Sequence, residues 1–83
     1  MGRSQEQNTI DDLKRNCPLV DVDAQYNQGG WRIRGRAKGA DGKPVDGQPV
    51  IDVKQTFLKT AKGMFEEAYG KAFSMGILKK HAR

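Results

Sequence analysis

Trp31-Arg32-Ile33-Arg34-Gly35-Arg36-Ala37-Lys38 carries the clearest pattern in the chain. Trp31, Ile33, Gly35 and Ala37 alternate with Arg32, Arg34, Arg36 and Lys38. Successive side chains of a strand point to opposite faces, so this segment reads as a strand with an apolar side and a cationic side. Just upstream, Val20, Val22, Ala24 and Tyr26 alternate with Asp21, Asp23 and Gln25. Asn27-Gln28-Gly29-Gly30 lies between the two runs and has the composition of a turn that tolerates positive φ. The two runs predict an antiparallel hairpin. Gly35 and Ala37 on its apolar side leave room for a helix to pack closely.

Downstream, Gly39 to Pro44 and Asp46-Gly47 read as turns. Val45 or Val50-Ile51 is the candidate for a short third strand, which Pro44 and Pro49 would confine to a sheet edge. Asp52 and Gln55 have the spacing of a capping pair, which predicts that a long helix starts at Asp52. On a helical wheel Val53, Phe57, Ala61, Met64, Phe65, Ala68, Ala72 and Met75 share one face, with Leu58 and Tyr69 at its edge. Lys59, Lys62, Glu66 and Glu67 point away, Glu67 and Lys71 form a favourable i, i+4 pair, and Gly63 and Gly70 fall on the outer side. The helix is expected to end near Ser74 or Lys79, with Gly70 or Gly76 as the candidate break.

At the other end, residues 1–8 read as a flexible N-terminus. Thr9-Ile10-Asp11-Asp12 reads as the start of a helix of about two turns, capped by Thr9. Ile10, Leu13 and Cys17 lie on one face, and Pro18 stops the helix near Asn16. The expected fold class is therefore α+β: a short N-terminal helix, an antiparallel β-hairpin with or without a third strand, and a long C-terminal amphipathic helix packed on the sheet. Residues 9–78 make one compact domain and residues 79–83 a basic tail. The core is expected from Val20, Val22, Trp31, Ile33, Phe57, Met64, Phe65 and Ala68.

A chain of 83 residues holds one modest core. Its single cysteine, Cys17, excludes an internal disulfide and fits a reducing intracellular compartment such as the cytoplasm. No apolar run spans a bilayer, and the N-terminus lacks the apolar segment of a secretion signal. Gly2 is followed by Glu6 where a myristoylation signal places Ser or Thr.

The catalytic and metal motifs fail on specific residues. Asp21-Val22-Asp23 opens like a calcium loop, but the sixth and twelfth positions are Tyr26 and Arg32 in place of Gly and Glu. Gly42-Lys43 would suit a phosphate-binding loop only with Gly at 37 and a hydroxyl at 44, where Ala37 and Pro44 stand. His81 lies at the end of the chain without a partner in sequence, and Cys17 has no histidine near it, so it reads as a small core residue. No catalytic residue, metal ligand or cofactor site is expected, and the chain reads as a binding protein and not an enzyme.

Charge points to the partner. There are 15 Lys and Arg against 10 Asp and Glu, a net charge of +5. The excess sits at residues 32–43 and 71–83. A strand spaces same-face residues about 6.5–7 Å apart, close to the distance between successive phosphates on a nucleic-acid strand. Arginine also grips phosphate through two donors at once. Arg32, Arg34, Arg36 and Lys38 are therefore the candidate phosphate contacts, with Lys43, Lys79, Lys80 and Arg83 in support. Trp31 and Tyr26 are candidates for a base-stacking surface, although the alternation of Trp31 with Ile33 favours the core. The competing reading is that Asp21 and Asp23 simply neutralise Arg34 and Arg32 across the hairpin.

A basic β-ribbon followed by a packed helix resembles, in the order of its elements, the three-strand-plus-helix DNA-binding domains of plant ethylene-response factors and integrase arms. That resemblance implies a sheet that docks on DNA and assigns no residue a role. A small size and no catalytic apparatus would also suit an accessory protein of a phage or mobile element. The leading expectation is a nucleic-acid-binding domain, for DNA or RNA. The rival is an assembly or adaptor subunit whose helix docks on an acidic protein, a larger assembly or a second copy through Phe57, Phe65, Tyr69 and Phe73.

Overall fold

The computed structural model describes residues 4–79. Five elements follow in order: α1 (Gln5–Asn16), β1 (Val20–Asn27), β2 (Gly30–Ala37), β3 (Ile51–Gln55) and α2 (Leu58–Ser74). The strands form one antiparallel sheet in the order β1-β2-β3, so the cationic strand is central. The α+β architecture matches the expectation, with β3 as a full third strand.

Helix α1 starts earlier than its sequence suggests. Ser4 is the N-cap, and its hydroxyl accepts from the Gln7 N–H at 3.1 Å. Residues 5–8 are therefore helical and not a flexible leader, and Thr9 is a buried helical residue instead of a cap. Ser4-Gln5-Glu6-Gln7 has the serine-to-glutamine spacing of a capping box, a signal in the sequence that the Thr9 reading passed over. The helix stops at Asn16 as expected, with Cys17 as its C-cap before Pro18.

The β1–β2 turn places Gln28 at φ 51° and Gly29 at φ 77°. Two consecutive positive φ angles make the tight turn whose twist matches a hairpin. The register then pairs Val22 with Gly35, Ala24 with Ile33 and Tyr26 with Trp31 on one side, and Asp21 with Arg36 and Asp23 with Arg34 on the other.

The second correction concerns residues 52–57. Asp52 and Gln55 do not cap a helix; they lie in β3, with Ile33 opposite Val53 and Arg34 opposite Asp52. Ile51, Asp52, Val53 and Lys54 alternate buried and exposed, and β-branched Ile51 and Val53 favour a pleated surface. Burying both on the sheet outweighs a cap pair worth about 1 kcal/mol. Helix α2 begins six residues later, at Leu58, with Phe57 as an N-cap that makes no side-chain hydrogen bond. Its end is well made. Gly76, at φ 79°, lets its N–H reach Phe73 O at 3.1 Å and Ile77 N–H reach Ala72 O at 3.0 Å, the paired bonds of a left-handed glycine cap. Gly76 therefore ends the helix, whereas Gly70 lies within it.

Both helices cover one face of the sheet. The core comprises Leu13 and Cys17 from the α1 region, Val20, Val22, Ile33, Ile51 and Val53 from the sheet, and Leu58, Ala61, Phe65, Ala72 and Leu78 from α2 and its end. Trp31 and Ala68 pack against it partly buried. Phe57 and Met64, both expected in the core, are 70% and 43% exposed. Phe57 precedes the helix, so it does not share the wheel position that a helix from Asp52 would have given it. Lys62 and Glu66, read as outward, instead turn toward α1, at 3.8 Å from Asp12 and 3.3 Å from Asn16.

Candidate functional site: the uncovered face of the sheet

With both helices on one side, the other side of the sheet is solvated. Alternation delivers Asp21, Asp23 and Gln25 to it from β1, Arg32, Arg34 and Arg36 from β2, and Asp52 and Lys54 from β3. Lys38 continues the β2 row and bridges to Pro44, at the start of the connection to β3. The arginines form a central cationic row only because β2 is the middle strand.

The row is partly neutralised. Arg32 grips Asp52 through two bonds, Nη2 to Oδ2 at 2.8 Å and Nε to Oδ1 at 3.1 Å. Arg34 donates to Asp23 at 2.9 Å. The expected pairs Arg34–Asp21 and Arg32–Asp23 are displaced by two residues: the hairpin register sets Asp23 beside Arg34 and Asp21 opposite Arg36, and Arg32 takes its carboxylate from β3 because Gln25 is its β1 neighbour. The hydrogen bond from Arg32 holds the Asp52 carboxyl below its ordinary value, against some desolvation and with help from Arg32, Lys54 and Arg34 charges. Arg36 lies opposite Asp21, is exposed, and its side chain has no hydrogen bond or ion pair among the described residues. Exposed ion pairs contribute little net stability, so a phosphate can displace a carboxylate from such a guanidinium at low cost.

At the hairpin end a shallow groove of about 650 Å³ runs between the β1–β2 turn and the end of β3. Trp31, Arg32, Lys54 and Gln55 line it together with turn residues. Tyr26 and Trp31 stack in a tilted arrangement with centroids 4.9 Å apart, and Tyr26 is 53% exposed. Both aromatics extend from the helix side of the sheet, so they border the cationic row at its end and do not lie within it. A second, smaller groove brings Lys14 of α1 beside Asp21, Asp23, Arg34 and Arg36. Lys14 and Lys54 are cations of this region that the strand pattern alone did not single out. Lys54 was hidden by reading its segment as helix.

The remaining candidates fall elsewhere. Lys43 sits in the exposed connection, where its N–H donates to Asp41. Lys79 follows buried Leu78 on the helix side and is not part of the row. Lys80, His81 and Arg83 lie outside the described residues. Of the four aromatics expected to face a partner, Phe65 is fully buried and belongs to the core, Tyr69 is partly buried against it, and Phe57 and Phe73 are exposed. The core claims Phe65 because it points at Gly35, an inner position of β2 with no side chain.

Cys17 is 1% exposed, and burial, aided by the Glu66 charge, pushes its thiol up to about 11. A thiol that is almost wholly protonated at neutral pH is a poor nucleophile. We expect a disulfide reagent at pH 8 to modify Cys17 only as fast as the domain opens, and at least about tenfold faster in denaturant; equal rates would mean the site is open. Among the described residues no group of three His, Cys, Asp or Glu is placed to hold a metal ion, and no helix is long and apolar enough to cross a membrane.

These features define a class: an α+β domain with a single three-stranded antiparallel sheet, helices on one face and an arginine-centred, solvated second face. No protein-family model, curated protein or solved structure matches the chain.

Proposed function

We propose that this domain binds nucleic acid on the uncovered face of its sheet, without catalysis. The observation that carries this reading is the row Arg32, Arg34 and Arg36 on the central strand of a face that no helix covers. Lys54 widens the row on β3, and Lys38 extends it. The same-face spacing of about 6.5–7 Å lets successive guanidiniums meet successive phosphates. Asp23 and Asp52 hold Arg34 and Arg32 in place until phosphate replaces them, which reduces the side-chain entropy lost on binding. The groove beside Trp31 supports a stacked base at the end of the row. A second reading, docking of a protein on α2, is favoured by the exposure of Phe57 and Phe73.

Trp31 borders the proposed contact surface, so its fluorescence is the natural reporter. Titration with single-stranded DNA, duplex DNA and RNA at low and moderate salt should change that fluorescence with at least one of them. The affinity should fall log-linearly with salt, with a slope of about −0.9 per phosphate on duplex and about −0.7 on a single strand. The absence of binding to all three at low salt would overturn the proposal and leave the arginine row as a solvated face.

A further inference from the structure

We infer that β3 is a self-complementary edge through which two copies of this chain join their sheets. This inference does not rest on nucleic-acid binding. In the order β1-β2-β3, β3 has a partner on one side only, and an edge strand presents unpaired N–H and C=O groups to another chain. Its sequence is Ile51-Asp52-Val53-Lys54-Gln55. If a second β3 pairs antiparallel about a two-fold axis at Val53, Asp52 meets Lys54 of the second copy and Lys54 meets Asp52 of the second copy. Both oppositely charged pairs lie on the solvated face, and directly opposed charges of unlike sign stabilise a strand pair. A strand whose charges complement their own mirror order suits a symmetric interface, in which each residue contacts its counterpart reciprocally.

The helix layer offers a matching apolar contact. Lys62 and Glu66 reach α1. Met64 lies two residues from each, a rotation of about 200°, which places it on the opposite flank of α2. Because α1 packs on β1 while α2 packs on β3 and β2, that flank adjoins the β3 edge. Met64 is 43% exposed there, and Phe57, at the junction between β3 and α2, is 70% exposed. Pairing the two edges would cover both. The joined sheet would have six strands, with the two arginine rows on one continuous face about 14 Å apart.

Sedimentation velocity of the full chain, from micromolar concentrations to about 1 mM, tests this inference. The expected result is a monomer–dimer equilibrium. Asp52→Lys sets lysine against Lys54 of the second copy, and Lys54→Asp sets two carboxylates opposite each other. Either substitution alone should weaken association about tenfold or more. An equimolar mixture of the two variants restores unlike pairs at both positions and should form a heterodimer. Asp52→Lys also removes the partner of Arg32, so Lys54→Asp, which keeps Asp52, is read first. A wild-type chain that stays monomeric, or a Lys54→Asp variant that dimerises as the wild type does, would overturn the inference, as would variants that do not associate when mixed.

Discussion

Phe65→Ala will leave the chain mostly unfolded at 25 °C, with loss of far-UV helical signal and of the structured emission of Trp31. Phe65 is fully buried and is the largest such side chain among the described residues. It projects from α2 to the backbone of β2 at Gly35, so it joins the helix layer to the central strand. Truncating a buried phenylalanine costs about 3–5 kcal/mol, and a domain of this size has a net stability of about the same magnitude. A methyl group added at Gly35 would lie 2.8 Å from Phe65 Cζ, 3.1 Å from Cε2 and 3.3 Å from Val20 Cγ2. A fully buried ring cannot swing aside, so Gly35→Ala should cost about 1–3 kcal/mol. In thermal melts that corresponds to roughly 4–8 °C per kcal/mol. Combining Gly35→Ala with Phe65→Leu should cost less than the sum of the two, because the shorter side chain relieves the overlap. Phe57→Ala, by contrast, should move the melting temperature little, since the ring is 70% exposed. A Phe65→Ala variant that melts close to the wild type would refute this account of the core.

The second large effect is on binding. Arg34→Ala with Arg36→Ala should reduce affinity for the preferred nucleic acid and flatten its salt dependence, while the melting temperature changes only slightly. If Arg32, Arg34, Arg36 and Lys54 each neutralise one duplex phosphate, the slope is about −3.6, and removing two contacts brings it to about −1.8. Between 50 and 200 mM salt, affinity would then fall about tenfold in the variant against roughly 150-fold in the wild type. The two positions differ in what they test. Among the described residues Arg36 has no ion pair, so its removal deletes a contact directly, whereas removing Arg34 also frees Asp23 to repel phosphate. Arg34→Ala should consequently lower affinity more than Arg36→Ala. Wild-type affinity and slope in the double variant would place the binding surface elsewhere.

Neutralising the row should not unfold the domain, because the arginines contribute to the solvated face and not to the layer between sheet and helices. The same separation explains which substitutions belong to which experiment. Inner positions of β2 set stability through Ile33 and Gly35, and outer positions set charge through Arg32, Arg34 and Arg36.

The hairpin was legible from residues alone because a period of two, repeated over seven positions before and eight after an Asn-Gln-Gly-Gly turn, has only one good local solution. The cationic face of β2 followed from that period, as did the stop before Pro18. Segments where two local signals competed were decided by tertiary packing. Asp52 and Gln55 have cap spacing, yet Ile51 and Val53 gain more by burial against the helices as a third strand. That choice moved the start of α2 to Leu58, put Phe57 in solvent and brought Lys54 onto the charged face. Thr9 resembles a cap, but it is buried once Ser4 takes that role. The helical wheel made Phe57 and Phe65 equivalent. Only the assembled sheet distinguished them, because Gly35 leaves space on β2 for one ring, and Phe65 fills it. Local pattern determined which way side chains alternate. The strand order set which face stays open and which carboxylate each arginine meets, because those depend on neighbours far apart in sequence.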